Sequence, residues 1–185
     1  MIIAAFTCLI PPRKRYGLAL QRRNADAAET LLSDNTPEQY AFSGRSRTHS
    51  RGYAAAVHAY QSPGARNGGA SAPGIDMEYV DPVRRWSAIL ARYAGDAAVR
   101  NASPQRLCRA WTFVEAHYKA FGGYADTALV ADTLRDDDAD DTPLPYAPDI
   151  WRYHHQVSPE FWLSLVWRGD GVQPVILNGG LIQQP

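Results

Sequence analysis

The sequence is poor in cysteine, with two among 185 residues. Cys8 and Cys108 are too far apart for a metal-binding or disulfide spacing, and they read as free thiols of a reducing compartment. Long apolar runs are missing too. The most apolar opening, MIIAAFTCLI, is about half the length of a membrane span and has neither a basic segment before it nor a small-residue cleavage pattern. It reads as a buried first strand, and the chain as a cytoplasmic protein with no membrane association. Net charge is zero, with 19 Lys plus Arg against 19 Asp plus Glu. Without a basic excess or basic repeats interleaved with aromatics, nothing favours nucleic acid as a partner. The acidic run RDDDADD (135–141) lacks the glycine and closing glutamate of a calcium loop, so it reads as a solvated or disordered loop.

What is present is the composition of a soluble globular protein, 45% hydrophobic and 21% charged. The length allows one domain or two small halves sharing a core. The zero net charge hides an asymmetry. Residues 1–73 carry nine basic against four acidic side chains, a balance of +5, and residues 74–185 carry ten against fifteen, a balance of −5. A basic front before a carboxylate-bearing back suits an anionic ligand that arrives with a divalent cation.

After the first strand, PPRKRYG marks a turn and Tyr16 to Leu32 reads as a helix. A loop through Pro37 leads to a strand over Tyr53 to Tyr60. Residues 61–73 are turn formers and make the clearest linker. A strand at 73–80 follows, then a helix from Pro82 to Tyr93. The next helix has Ser103 as N-cap, Pro104 at its first position and Gly122 as its stop. Strands are expected at 150–157, 161–168 and 174–179. The order predicts an α+β fold of two related, pseudo-symmetric α/β halves, residues 1–72 and 73–185.

The chemistry starts in PGIDMEYV. Ile75, Met77 and Tyr79 share one strand face, and Asp76 and Glu78 share the other, about 7 Å apart. That is either a half-buried strand with acids towards solvent or a cation site. On the helix, Leu107, Trp111, Val114 and Tyr118 form an apolar stripe. Glu115 and Lys119 follow the same rhythm on its flank, as an i,i+4 ion pair or as part of a site. Of His154 and His155 at most one faces inward, and neither is assigned a role.

PGIDMEYV followed by WTFVEAHYKAFG resembles the paired signature of the 4′-phosphopantetheinyl transferases of the longer, two-half, monomeric type. In that family a G-[IV]-D-x-E strand precedes a helix reading [WF]-[ST]-x-K-E-A-x-x-K-x-x-G. Upstream, THSRGYAAAVHA resembles the family's S-H-S-x-G segment. The resemblance implies Mg2+-dependent transfer of 4′-phosphopantetheine from coenzyme A to a serine of an apo acyl or peptidyl carrier protein, releasing 3′,5′-ADP. It implies that Asp76, Glu78 and Glu115 hold Mg2+. By the same token, Lys119 meets the coenzyme A phosphates and acts in catalysis with Glu115, while His49, Ser50 and Arg47 bind coenzyme A. Two departures stand out. Val114 replaces the family's lysine, and DNTP (34–37) stands where a Gly-basic-Pro element is expected. The second expectation is therefore a relative that binds coenzyme A or a carrier protein without turnover.

Overall fold

Strand β1 (Ile2–Cys8) comes from the apolar opening, and helix α1 (Leu18–Asp34), β2 (Ala41–Ser50) and β3 (Tyr53–Gln61) follow it. Next come β4 (Gly74–Tyr79), α2 (Trp86–Ala94), the short α3 (Asp96–Val99), α4 (Pro104–Phe121) and α5 (Thr127–Arg135). The described chain closes with β5 (Leu144–Ala147), β6 (Ile150–Ser158), β7 (Phe161–Arg168) and β8 (Val175–Leu181). The computed structural model describes residues 2–8, 18–34, 41–61, 72–135, 141–169 and 173–181. The turn at 11–17 with its basic group, the DNTP segment beyond Asp34, residues 62–71 of the linker and the centre of the acidic run lie outside the described residues.

The fold is α+β, with two four-stranded sheets. The first has the order β2-β3-β1-β8, antiparallel except for the β1–β8 pair. The second, β4-β7-β6-β5, is antiparallel throughout. The sheets pack face to face through Ala55, Val57 and Ala59 of β3 against Ile75, Met77, Leu163 and Leu165 of β4 and β7. Helix α1 covers the outer face of the first sheet, where Ala28 and Leu32 meet Ala56 and Tyr60. The remaining helices cover the second, with Phe113 and Val114 of α4 packed among residues that include Trp162 and Val166. The alternation of Ala55, Val57 and Ala59 with Ala56 and Tyr60 is what lets β3 serve two cores at once. Strand β7 is buried on both faces from Phe161 to Trp167, which is why FWLSLVWR reads as one apolar run rather than an alternating one.

Helix α4 has the ends its sequence announces. Ser103 Oγ accepts from Arg106 N, Pro104 stands at the first position, and Gly122 closes the helix at φ 73°. Helix α2 starts four residues later than expected, because Asp81 holds the preceding segment as a turn. Its carboxylate accepts from Val83 N, and its carbonyl accepts from Arg84 N and Trp86 Nε1. A larger difference concerns 41–50, which has the polarity of a loop yet forms a ten-residue strand. It is an edge strand and carries polar groups on both faces. Helix α5 and strand β5 were also not anticipated. Of the histidine pair, His154 faces the core and is 1% exposed, as the alternation requires.

Candidate active site

Strand β2 turns into β3 through Arg51 and Gly52, both at positive φ (51° and 87°), the conformation of a tight two-residue hairpin. The glycine of THSRG is therefore a turn residue. From Gly44 onward β2 is regular, so Ser46, Thr48 and Ser50 share one face and Arg45, Arg47 and His49 the other. The hydroxyl face lies along the open edge of β4. Ser46 Oγ accepts from Ile75 N at 3.4 Å, Thr48 Oγ1 donates to Asp76 Oδ1 at 2.8 Å, and Ser50 Oγ both donates to Glu78 Oε2 (3.0 Å) and accepts from Tyr79 N (3.2 Å). These bonds protect an edge strand whose backbone groups would otherwise stay open.

On the other side, β4 runs against α4. A Cβ on Gly74 would fall 1.9 Å from Ala116 O, so only glycine permits this approach. The closeness lets Lys119 reach across, and its Nζ donates to Asp76 Oδ1 at 2.8 Å and to Ile75 O at 3.0 Å. Lys119 is one of two lysines in the chain, against seventeen arginines (19 − 2). Glu78 Oε1 accepts from Arg84 at 3.2 Å, and the Arg84 guanidinium in turn lies 4.2 Å from the Trp86 ring. The thiol of Cys108 points to Glu78 O at 3.7 Å, and burial pushes its pKa up, so it is an inert core group.

Asp76 is the electrostatic centre. It is 6% exposed, and burial pushes its pKa up to about 6 against the pull of Lys119 and Thr48, with Glu78 adding to the rise. Its second oxygen, Oδ2, is buried and has no partner among the described residues. An anionic oxygen in that condition is matched to a cation. Mg2+ takes oxygen ligands and commonly uses only one or two carboxylates beside its waters and a substrate phosphate. Asp76 with Glu78 meets that requirement. Among the described residues no three His, Cys, Asp or Glu side chains stand close enough together to hold an ion by themselves. Glu115 is half-buried on the flank of α4, one turn before Lys119, and its charge acts on Tyr124.

Glu115 aside, which makes no bond to the cluster among the described residues, the expected residues divide into two groups. Asp76, Glu78, Ser50 and Lys119 meet in one bonded cluster. Arg47 and His49 take the opposite face of β2, where Arg47 pairs with Asp26 and Glu29 of α1 at 3.7 and 4.0 Å and His49 is exposed. Three members of the cluster escaped sequence reasoning: Ser46, Thr48 and Arg84. The alternation of hydroxyls in SRTHS was the available signal for the first two. For Arg84 there was none, because its role depends on the turn at Asp81.

No protein-family model matches the chain, and no curated protein is significantly similar to it. Among the described residues, no helix is long and apolar enough to cross a membrane.

Proposed function

We propose that the protein transfers 4′-phosphopantetheine from coenzyme A to a serine of an apo carrier protein, with Mg2+ held by Asp76 and Glu78. The observation that carries this reading is the pair of donors on Asp76. Thr48 and Lys119 belong to two separate sequence motifs, and both bond the same Oδ1 of a third motif at 2.8 Å. Nothing in the linear spacing of the motifs requires them to meet. The strand paths lend support to two pseudo-symmetric halves. The first half runs β1, α1, β2, β3 with sheet order β2-β3-β1, and the second runs β4, helices, β6, β7 with order β6-β7-β4. The two paths are the same.

When bound, Mg2+ supplies positive charge at the diphosphate oxygens. The chain's own groups do the rest. Lys119 commits two of its three N–H donors to Asp76 and Ile75, which leaves one for a phosphate oxygen and for the charge that grows on the departing 3′,5′-ADP. Thr48 and Ser50 fix the rotamers of Asp76 and Glu78, so that Asp76 Oδ2 and the remaining lone pairs of Glu78 stay aimed. The acceptor serine oxygen forms a bond to the pantetheine-side phosphorus as the bond to 3′,5′-ADP breaks. Glu115, beside Lys119 on α4, takes the serine proton. Val114 removes no cation from this site, since its side chain is fully buried in the helical core.

The test is intact-mass measurement of an apo carrier protein incubated with coenzyme A, Mg2+ and the protein. A gain of one phosphopantetheine arm is expected for at least one carrier. Binding of coenzyme A with no gain across a panel of carriers would replace this reading with that of a non-catalytic relative.

A further inference from the structure

The two carboxylates at the candidate site are already answered by two side-chain cations. Lys119 pairs with Asp76 and Arg84 with Glu78, so the four formal charges cancel. The two pairs are not held alike. Lys119 Nζ donates to Asp76 Oδ1 at 2.8 Å and to Ile75 O at 3.0 Å, and the backbone carbonyl anchors it. Arg84 reaches Glu78 Oε1 at a looser 3.2 Å, and its side chain is 35% exposed.

Arg84 also has a second place to rest. It leaves the turn held by Asp81, whose carbonyl accepts from Arg84 N at 3.2 Å and from Trp86 Nε1 at 3.0 Å. The bond to Trp86 fixes the indole, and the Arg84 guanidinium lies 4.2 Å from the Trp86 ring and 5.9 Å from that of Trp111. An aromatic face attracts a guanidinium whether or not a carboxylate is near it. Glu78 has an anchor of its own, since its Oε2 accepts from Ser50 Oγ, which is itself bonded to Tyr79 N. Arg84 can therefore let go of Glu78 without dragging the carboxylate out of place.

We propose that Arg84 is a latch on the metal site, which neutralises Glu78 until a divalent ion arrives and then gives up the carboxylate while staying on the Trp86 face. The inference rests on the reading that Asp76 and Glu78 hold Mg2+, and it adds a side chain that competes with the ion. A divalent ion on this pair takes the local balance from zero to +2, with Arg84 and the ion sharing one carboxylate. Like charges that close repel, and of the two resident cations Arg84 has the longer bond and an aromatic face to turn to. The latch thus lowers the affinity for a bare ion. An ion that arrives with phosphate oxygens brings its own negative charge and meets less of that resistance.

The experiment uses the full chain, Arg84→Gln, Arg84→Lys and, as the control for the site, Asp76→Asn. Mn2+ is the probe, without coenzyme A, and the free ion is counted by electron paramagnetic resonance. Arg84→Gln should bind Mn2+ about 2- to 5-fold more tightly than the wild type, the scale of a partly exposed ion pair whose competition is removed. Arg84→Lys should stay near the wild type, and Asp76→Asn should lose the binding. If Arg84 merely held Glu78 in position, Arg84→Gln would bind more weakly. That result, or an unchanged affinity, overturns the latch while the metal site stands. A second measurement needs no variant. Mg2+ titrated into the wild type should move the Nε–Hε resonance of Arg84 in a nitrogen–proton correlation spectrum, and a resonance that stays put through saturation overturns the latch too. Binding by Arg84→Gln where the wild type shows none upholds it. If neither binds Mn2+, or if Asp76→Asn binds as the wild type does, the metal reading itself fails and the latch falls with it.

Discussion

At the scale of single residues the decisive feature is a carboxylate held where it would rather be neutral. Asp76 has a folded pKa of about 6, against an ordinary value near 3.8, with burial as the main cause. A raised carboxylate pKa means that the folded state binds the proton more tightly than the unfolded chain. Its stabilising contribution is therefore fully present below about pH 4 and is lost as pH rises through about 6, a change of roughly 3 kcal/mol for a two-unit shift. Asp76→Asn should remove that slope, leaving the metal-free protein more stable at neutral pH while transfer falls by about 10²-fold or more. Thermal unfolding of both proteins between pH 4 and 8 without divalent ions checks the first part, and the mass assay checks the second. A wild type with the same pH profile as the variant would mean that Asp76 is not the strained group.

Lys119 calls for a different comparison. Lys119→Ala leaves Asp76 with Thr48 as its one remaining side-chain donor among the described residues and should lower kcat by about 10²–10⁴. Lys119→Arg keeps the charge but brings a longer, planar head into a gap fitted to one ammonium, so it should recover only part of the rate. Full recovery by arginine would mean that charge alone is what the site needs there. Val114→Lys is expected to raise transfer no higher than that of the native chain, measured by the mass assay. It would bury an unpaired ammonium among Phe113, Val130 and Trp162, with a loss of several kcal/mol of stability.

At the scale of elements, two small residues govern how the site is assembled. Gly74 sets the depth to which β4 sinks against α4, and Gly52 sets the hairpin that brings Thr48 and Ser50 alongside β4. Gly74→Ala would place a methyl group inside the van der Waals radius of Ala116 O. The strand must then move outward, which lengthens the Lys119–Asp76 bond, so a loss of about 1–3 kcal/mol and a disproportionate loss of turnover are expected. Melting temperature and kcat measured on the same variant would show it. A melting loss without a rate loss would separate the glycine from the site.

Legibility in the sequence follows the same lines. Ser103, Pro104 and Gly122 announced the ends of α4 because capping is local chemistry, and the alternation of PGIDMEYV announced which face of β4 enters the core. The face assigned to possible solvent instead lies under Lys119. A period of two shows which residues share a face and is silent on what covers that face. Strand β2 was missed because an edge strand with arginines towards α1 and hydroxyls towards β4 has no apolar face to read. The Asp76, Glu78 and Lys119 cluster was legible only through motif likeness, since Lys119 stands 43 residues from Asp76 along the chain and meets it only once the chain is folded.

For the whole molecule, the question is whether the halves are units in their own right. The apolar layer between the sheets draws Ile2, Ala55, Val57 and Ala59 from the front of the chain and Ile75, Met77, Leu163, Leu165 and Trp167 from the back. Strand β8, at the far end of the back half, leaves that half's sheet and pairs in parallel with β1 in the front sheet. The bonds at the candidate site also cross between the two, with Thr48 and Ser50 on one side and Asp76 and Glu78 on the other. A fragment of residues 73–185 would expose the inner faces of β4 and β7 and leave β8 with no partner strand. A fragment of residues 1–72 would lose β8 and the whole opposing face. Small units that cannot cover their apolar face lack the burial that offsets chain entropy. Neither fragment should therefore show a cooperative thermal transition alone, whereas the intact chain should melt in one step by circular dichroism and by tryptophan fluorescence alike. Two separated transitions in the intact protein, or an independently folded 73–185 fragment, would show that the halves are autonomous. In that event the contact between them would have to be held by ligands and not by the core.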